Sequence, residues 1–93
     1  MSFSKEFLEA AHKHSFQNRG EIEASENCFC FYCRESFAGR DVTYWIPDDG
    51  GDTAVCPLCP VDSVIGSASG LPVDDAEFLA AMHSYWIKRT ANA

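Results

Sequence analysis

Two cysteine-rich stretches, CFCFYC at residues 28–33 and CPLC at residues 56–59, decide how this chain folds. Four of the five cysteines form two C-x2-C pairs, and twenty-two residues lie between the pairs. Two residues between thiols let one tight turn point both sulfurs the same way, and two such turns complete a tetrahedron of sulfurs. The spacing therefore predicts that both pairs contribute to one metal site.

The predicted ligands are Cys30, Cys33, Cys56 and Cys59, and the predicted ion is a single structural Zn²⁺. Because four protein ligands close the coordination sphere, such an ion has no open position for water or substrate. Zinc binding at such sites contributes about 10–16 kcal/mol, more than the net stability of most small domains. We therefore expect the ion to be needed for folding and not for catalysis. Two disulfides or free buried thiols are the alternative interpretation.

The fifth thiol, Cys28, has three possible roles. It could replace Cys30 as a ligand, because a four-residue spacing also occurs in zinc sites. It could be an oxidation-sensitive thiol beside the site, or simply a small buried residue, which we favour because free cysteine packs well. His12, His14 and His83 are further alternative ligands, but we expect His14 and His83 to have local partners at the edges of apolar helical faces.

The chain is short and acidic, with 93 residues, fourteen Asp and Glu, seven Lys and Arg, and a formal charge of −7. So small a domain buries roughly 60–65% of its unfolded surface and needs reinforcement. Nucleic-acid binders normally carry a basic stripe, so this charge disfavours nucleic acid and anionic membranes and favours a basic protein partner. The sequence contains no secretory signal and no apolar run that could span a membrane, which predicts a reducing, cytoplasmic setting.

Apolar positions at helical spacing predict an N-terminal helix over about residues 3–15, capped by Ser2 or Ser4. The same pattern predicts a C-terminal helix over about residues 74–88. The metal-binding hairpin is expected between them, over about residues 28–65.

Within this hairpin, the alternation at residues 42–46 predicts a half-buried strand with Val42, Tyr44 and Ile46 on one face. The acidic, glycine-containing run at residues 48–52 predicts a turn, after which residues 53–55 return as a strand. The fold class predicted from these patterns is α+β, as a single zinc-binding domain over residues 1–93.

A set of short motifs, in a fixed order from about residue 14 to residue 86, resembles a family of small bacterial proteins described as cytoplasmic proteins of unknown function. The motifs are His14-Ser15, Asn18-Arg19, Ile22, Ser25, CFCFYC, Trp45, Asp49, TAVCPLC at 53–59, VDSVIG at 61–66, Ser69-Gly70, Phe78-Leu79, Met82-His83 and Trp86. The paired cysteine turns also resemble those of zinc ribbons and treble-clef-like zinc folds. The resemblance implies a bacterial cytoplasmic zinc protein but no particular activity. Pro60 departs from it, because such turns typically have glycine after the second cysteine.

The resemblance also draws together polar residues that flank the cysteines. They either line a recognition site or, as we favour, cap helices and support the zinc sulfurs. These residues are His14, Asn18, Arg19, Asp62 and Ser63.

We expect a non-enzymatic module that binds another protein. The first alternative is a nucleic-acid-binding zinc ribbon of the transcription-regulator kind, which would need a local basic patch and a stacking platform for bases. The second is a hydrolase or nuclease on a treble-clef-like scaffold, with His14 or His83 acting beside Asp62. The residues available to the first alternative are Arg19, Arg34, Arg40 and Lys88 for the patch, and Tyr44, Trp45, Tyr85 and Trp86 for the platform.

Overall fold

The computed structural model describes residues 3–88 of the chain and has an α+β fold with two small antiparallel sheets. Ser2, one of the two predicted helix caps, lies outside the described residues, as does the side chain of Lys88. In the described part of the chain, no helix has both the length and the apolar character that a bilayer span requires.

The N-terminal helix α1 spans Lys5–His12 and continues as one 3-10 turn over Lys13–Ser15, within the range predicted for it. It begins at Lys5 because the Ser4 hydroxyl accepts a hydrogen bond from the Phe7 backbone N–H at 3.0 Å. Leu8 and Ala11 are buried and turn one face of α1 towards the core.

The first sheet is built around the cysteine-rich stretch itself. Strand β1 (Cys28–Cys30) lies between β2 (Ser36–Phe37) and β5 (Val64–Gly66), with both neighbours antiparallel to it. Cys28 pairs with Phe37 on one side and with Gly66 on the other. Every residue of β1 is buried, as expected of a central strand.

Alternation along β1 separates two cores. Phe29 packs into an aromatic core with Ile65 and Phe78, between the sheet and the two terminal helices. Cys28 and Cys30 point the other way, into the second core around the cysteine pairs. Because successive strand residues face opposite sides of a sheet, the CFC pattern sends phenylalanine to one core and cysteine to the other.

The second sheet is a two-stranded hairpin of β3 (Trp45–Ile46) and β4 (Thr53–Ala54), in the region where the sequence predicts one. The predicted face of the strand is wrong in part: Val42 is buried, whereas Tyr44 is 65% exposed and Ile46 is 41% exposed. The reason is local, since Val42 closes a 3-10 turn by donating its N–H to the Gly39 carbonyl. The strand alternation therefore does not extend back to residue 42.

Helix α2 spans Arg19–Glu23, and helix α3 spans Ala76–Met82. The Asp75 carboxylate caps α3 by accepting from the Glu77 N–H at 2.9 Å. Where the sequence predicts one helix over 74–88, the chain changes to π-helical geometry at His83–Lys88.

Two contacts with α1 accompany the wider turns of this π-helical segment. The Trp86 indole N–H donates to the Leu8 carbonyl at 3.2 Å. The Tyr85 hydroxyl donates to the Glu9 carboxylate at 2.6 Å. The π-helical geometry thus occurs where two consecutive aromatic residues both reach the same neighbouring helix.

Candidate metal centre

The four paired cysteines meet in space. The Sγ atoms of Cys30, Cys33, Cys56 and Cys59 all lie within 4.8 Å of one another. Two of the separations are 3.6 Å, between Cys30 and Cys59, and 3.7 Å, between Cys33 and Cys56. A zinc tetrathiolate with Zn–S bonds of about 2.3 Å has S···S edges of about 3.8 Å, so the cluster fits a single metal ion.

The alternative of two disulfides does not hold, because all five cysteines are free thiols. The two S···S distances of 3.6 and 3.7 Å greatly exceed the roughly 2.05 Å of a disulfide bond.

The first cysteine pair lies in a tight turn, the first knuckle (residues 30–35), which connects β1 to β2. The Cys30 N–H donates to the Glu35 carbonyl at 3.0 Å and closes the turn at its base. Inside the turn, the Arg34 N–H donates to the Cys30 carbonyl at 2.7 Å. Arg34 adopts φ of 68°, a left-handed conformation that lets the chain turn away behind the second sulfur.

The second pair lies in a matching turn, the second knuckle (residues 56–61), which connects β4 to β5. The Cys56 N–H donates to the Val61 carbonyl at 2.9 Å, which reproduces the closing bond of the first knuckle. Pro60 occupies the position of Arg34 and also has a positive φ, of 26°. Because proline has no N–H, it cannot make the inner hydrogen bond, and its ring favours φ near −65°.

Backbone N–H groups point at the first sulfur of the second knuckle. The Leu58 N–H lies 3.3 Å from Cys56 Sγ, and the Cys59 N–H also bonds this sulfur. Burial by itself would raise the pKa of the Cys56 thiol, but these donors stabilise the thiolate and lower the pKa. Cys56 therefore reaches the thiolate form, which is the form that binds a metal, more readily than an ordinary thiol does.

The first knuckle has N–H donors at the equivalent positions, but its first sulfur, Cys30 Sγ, is more deeply buried than Cys56 Sγ. The N–H groups of Cys33 and Tyr32 bond Cys30 Sγ, yet burial dominates and raises the pKa of the Cys30 thiol. Burial also raises the pKa of the Cys59 thiol, to about 11. A bound cation would offset this burial cost by stabilising the thiolates.

The Asn18 side chain bridges the two strands that flank the second knuckle. Its side-chain oxygen accepts from the Ala54 N–H at 3.0 Å, and its side-chain N–H₂ donates to the Val64 carbonyl at 2.8 Å. The same N–H₂ group donates to the His14 carbonyl at 2.8 Å. Asn18 is buried, so of its two possible roles the structure supports the one of holding the fold.

Cys28 lies outside the four-sulfur cluster. It is buried in the second core beside Ile22 and Val42, and its side chain is 1% exposed. Burial, reinforced by the charge of Asp41, raises the pKa of this thiol to about 11. The environment fits a packed apolar residue better than a reactive thiol.

The three histidines lie apart from the cluster and have other neighbours. His14 Nδ1 lies 3.0 Å from a carboxylate oxygen of Glu21, and His83 Nδ1 lies 3.0 Å from the Phe31 carbonyl oxygen. The predicted local partners of His14 and His83 are therefore present.

His12 is the histidine that lies close enough to the Asp62 carboxylate to be affected by its charge. Burial lowers the pKa of His12, and the negative charge of Asp62 opposes this shift. The His12 ring packs against the Trp86 ring, with 4.1 Å between the centroids. The helical pattern of the sequence favours His14 and His83, and only the spatial arrangement identifies His12 as the histidine beside Asp62.

Four of the eight candidate nucleic-acid residues, namely Arg19, Trp45, Tyr85 and Trp86, make side-chain contacts within the domain. The Arg19 guanidinium donates to the carboxylates of Glu23 and Asp52 at 2.9 Å each and lies over the Trp45 ring, 4.7 Å from its centroid. Tyr85 and Trp86 bond α1, as described above. Of the predicted stacking platform, Tyr44 is the prominently exposed ring.

Comparison with known proteins finds no family model, no curated protein and no solved structure that matches this chain.

Proposed function

We propose that this chain is a cytoplasmic binding module, held together by one structural zinc ion, that acts by binding another protein. The observation that carries the proposal is the convergence of four thiols from two matching knuckles at distances that suit a tetrahedral ion. A reducing compartment keeps these thiols available to the metal.

The position of the cluster supports a structural role for the metal. The first knuckle belongs to the three-stranded sheet, whereas the second begins just after β4 of the other sheet. An ion held by both knuckles therefore crosslinks the two sheets. With four thiolate ligands the coordination sphere is complete, so the ion supplies folding energy and no catalytic position.

Charge supports a protein partner rather than a nucleic acid. Four thiolates and one divalent zinc change the formal charge from −7 to −9. Arg19, one of the few basic residues, is already paired with two carboxylates. A partner with basic residues is complementary to this surface, while a polyphosphate is not.

Exposed apolar side chains supply contact area for such a partner. Tyr32 and Leu58 stand at equivalent places in the two knuckles and are 46% and 59% exposed. Two further large apolar side chains, Ile46 of β3 and Tyr44 just before it, are also exposed. Aromatic side chains of this kind are enriched at protein interfaces.

The test is affinity capture of the tagged, zinc-loaded protein from its native host, before and after nuclease treatment. We expect a stoichiometric, basic protein partner that survives nuclease. The matched bait Tyr44→Ser/Ile46→Ser should keep its zinc and lose that partner. Capture that depends on nucleic acid, or an empty eluate from a folded bait, would contradict the proposal.

A further inference from the structure

A cleft of about 540 Å³ opens beside the turn that follows α1. Its other wall is the short segment between the second knuckle and β5. Its volume lies within the range typical of small-molecule sites. The lining residues are His12, Lys13, Ser15, Phe16, Asp62 and Ser63.

The cleft contains two side chains of opposite charge, Lys13 and Asp62. Among the contacts of residues 3–88, neither the Lys13 ammonium nor the Asp62 carboxylate forms an ion pair with another side chain. The carboxylate faces a histidine whose pKa is lowered by burial, so its neighbour is an uncharged ring near neutral pH. The cleft therefore presents one positive and one negative group that are both available to a ligand.

The apolar part of the lining is also available. Phe16 is 56% exposed, a large fraction for a phenylalanine in so small a domain. The His12 ring cannot swing freely, because it packs between the rings of Trp86 and Phe31, at 4.1 and 5.7 Å between centroids. Phe16 and His12 thus give the cleft an exposed ring and a fixed polar ring.

We propose that this cleft binds a small zwitterion with an apolar side chain, of the α-amino-acid or short-peptide class. The carboxylate of the ligand pairs with Lys13, its ammonium pairs with Asp62, and its apolar group packs against Phe16. A purely anionic ligand would meet the Asp62 charge, and a purely cationic one would meet Lys13. Only a ligand with both charges is complementary to both groups.

Such a cleft is separate from the protein-binding function, because a protein interface does not require an internal pair of unpaired opposite charges. The cleft also lies apart from the exposed side chains of β3, being formed by the turn after α1 and by Asp62 and Ser63. The two proposals can therefore fail separately.

The test is an NMR titration of the zinc-loaded protein with three probes that share one ring: L-phenylalanine, phenethylamine and 3-phenylpropionate. We expect L-phenylalanine to shift the amides of residues 12–16 and 62–63. The two singly charged probes should bind about three- to tenfold more weakly, since each lacks one exposed ion pair. L-phenylalanyl-glycine, whose charges are further apart, distinguishes a free amino acid from a peptide as the better ligand.

Two charge-removing variants and two matched controls complete the test. Asp62→Asn and Lys13→Gln should each weaken L-phenylalanine by about three- to tenfold. Asp62→Asn should leave 3-phenylpropionate no weaker than before. The controls, Asp48→Asn and Lys5→Gln, remove exposed charges outside the cleft and should leave the binding of L-phenylalanine unchanged. Equal binding of all three single-ring probes would overturn the proposal. So would unmoved cleft amides at about 10 mM L-phenylalanine, because we expect it to bind with a Kd of about 1 mM.

Discussion

The two knuckles have the same local geometry but are held in place by different means. Each closes with a hydrogen bond from its first cysteine to a carbonyl five residues on, and each has a positive φ after its second cysteine. The first knuckle connects β1 and β2, which pair directly with each other. The second connects β4 and β5, which belong to different sheets.

What replaces strand pairing at the second knuckle is one side chain. Asn18 accepts from the Ala54 N–H and donates to the Val64 carbonyl, so it spans the gap between the strands on either side of the turn. The second knuckle also lacks the inner hydrogen bond, because Pro60 has no N–H to donate. We infer that the first knuckle is supported by its own strands, whereas the second depends on the metal and on Asn18.

The largest expected effect is that of Cys56→Ser, which removes a ligand from the second knuckle. Loss of a zinc contribution of about 10–16 kcal/mol exceeds the stability of a small domain, so we expect unfolded or aggregated protein. Amide spectra and the zinc content per chain measure this. The matched control is Cys28→Ser, which alters a buried thiol outside the cluster and should keep one zinc per chain. A well-folded, metal-free Cys56→Ser protein with sharp amide signals would show that the ion does not hold the fold.

The next largest effect is expected for Asn18→Ala. This change leaves the buried Ala54 N–H and Val64 carbonyl without their partner, which should cost about 2–4 kcal/mol in the free energy of unfolding. Denaturant unfolding of the zinc-loaded protein measures it. Asn18→Asp is the matched variant, because a carboxylate still accepts from Ala54 but cannot donate to Val64. A loss below about 0.5 kcal/mol for Asn18→Ala would mean that the second knuckle needs no such bridge.

A smaller change of opposite sign is expected for Pro60→Gly. Glycine adopts positive φ freely and restores the missing N–H donor, so relief of strain should outweigh its entropic cost and stabilise the protein by about 1 kcal/mol. Zinc release to a chelator should slow accordingly. The same change in the first knuckle, Arg34→Gly, should move stability by about 0.5 kcal/mol or less, because Arg34 already donates its N–H and its φ of 68° lies in the ordinary left-handed region, which no ring opposes. Equal stability changes for Pro60→Gly and Arg34→Gly would contradict the inference that the two knuckles are held in place differently.

The smallest effect concerns pH and tests His12, whose ring packs against Phe31 of the first knuckle. Burial lowers the pKa of His12 below its ordinary value of 6.5, so the unfolded chain takes up this proton at a higher pH than the folded protein. His12 should therefore cost the protein no stability above about pH 7 and progressively more as the pH falls through 6.5. His12→Phe keeps an aromatic ring against Trp86 and should flatten the dependence of unfolding free energy on pH between about 7 and 5.5. If His12→Phe leaves the slope of unfolding free energy against pH unchanged, this would contradict a lowered pKa of His12 in the folded protein.

The four-cysteine cluster could be predicted from sequence because it is encoded locally. A C-x2-C spacing brings two thiols to one side of a turn, and the chemistry of a four-thiolate metal site predicts that the two such pairs, Cys30 with Cys33 and Cys56 with Cys59, meet. The helix start at Ser4 is equally local, because it depends on one side chain and the N–H three residues later.

The rest depends on contacts between distant parts of the chain. The exposure of Tyr44 and Ile46 follows from where a 3-10 turn ends and a hairpin begins, which hydrophobic alternation does not reveal. The sequence predicts that Asn18 caps a helix or lines a recognition site, but its three partners include residues 36 and 46 positions away. The proximity of His12 to Asp62 likewise arises only because the segment after the second knuckle lies across a cleft from the end of α1.

X-ray absorption at the zinc edge of the purified protein, with the metal content measured on the same sample, shows directly whether one zinc tetrathiolate joins the two knuckles. We expect one zinc per chain, bound by four sulfurs at about 2.3 Å and by no nitrogen or oxygen. A spectrum with fewer than four sulfurs, or a folded protein that holds no zinc, would contradict it.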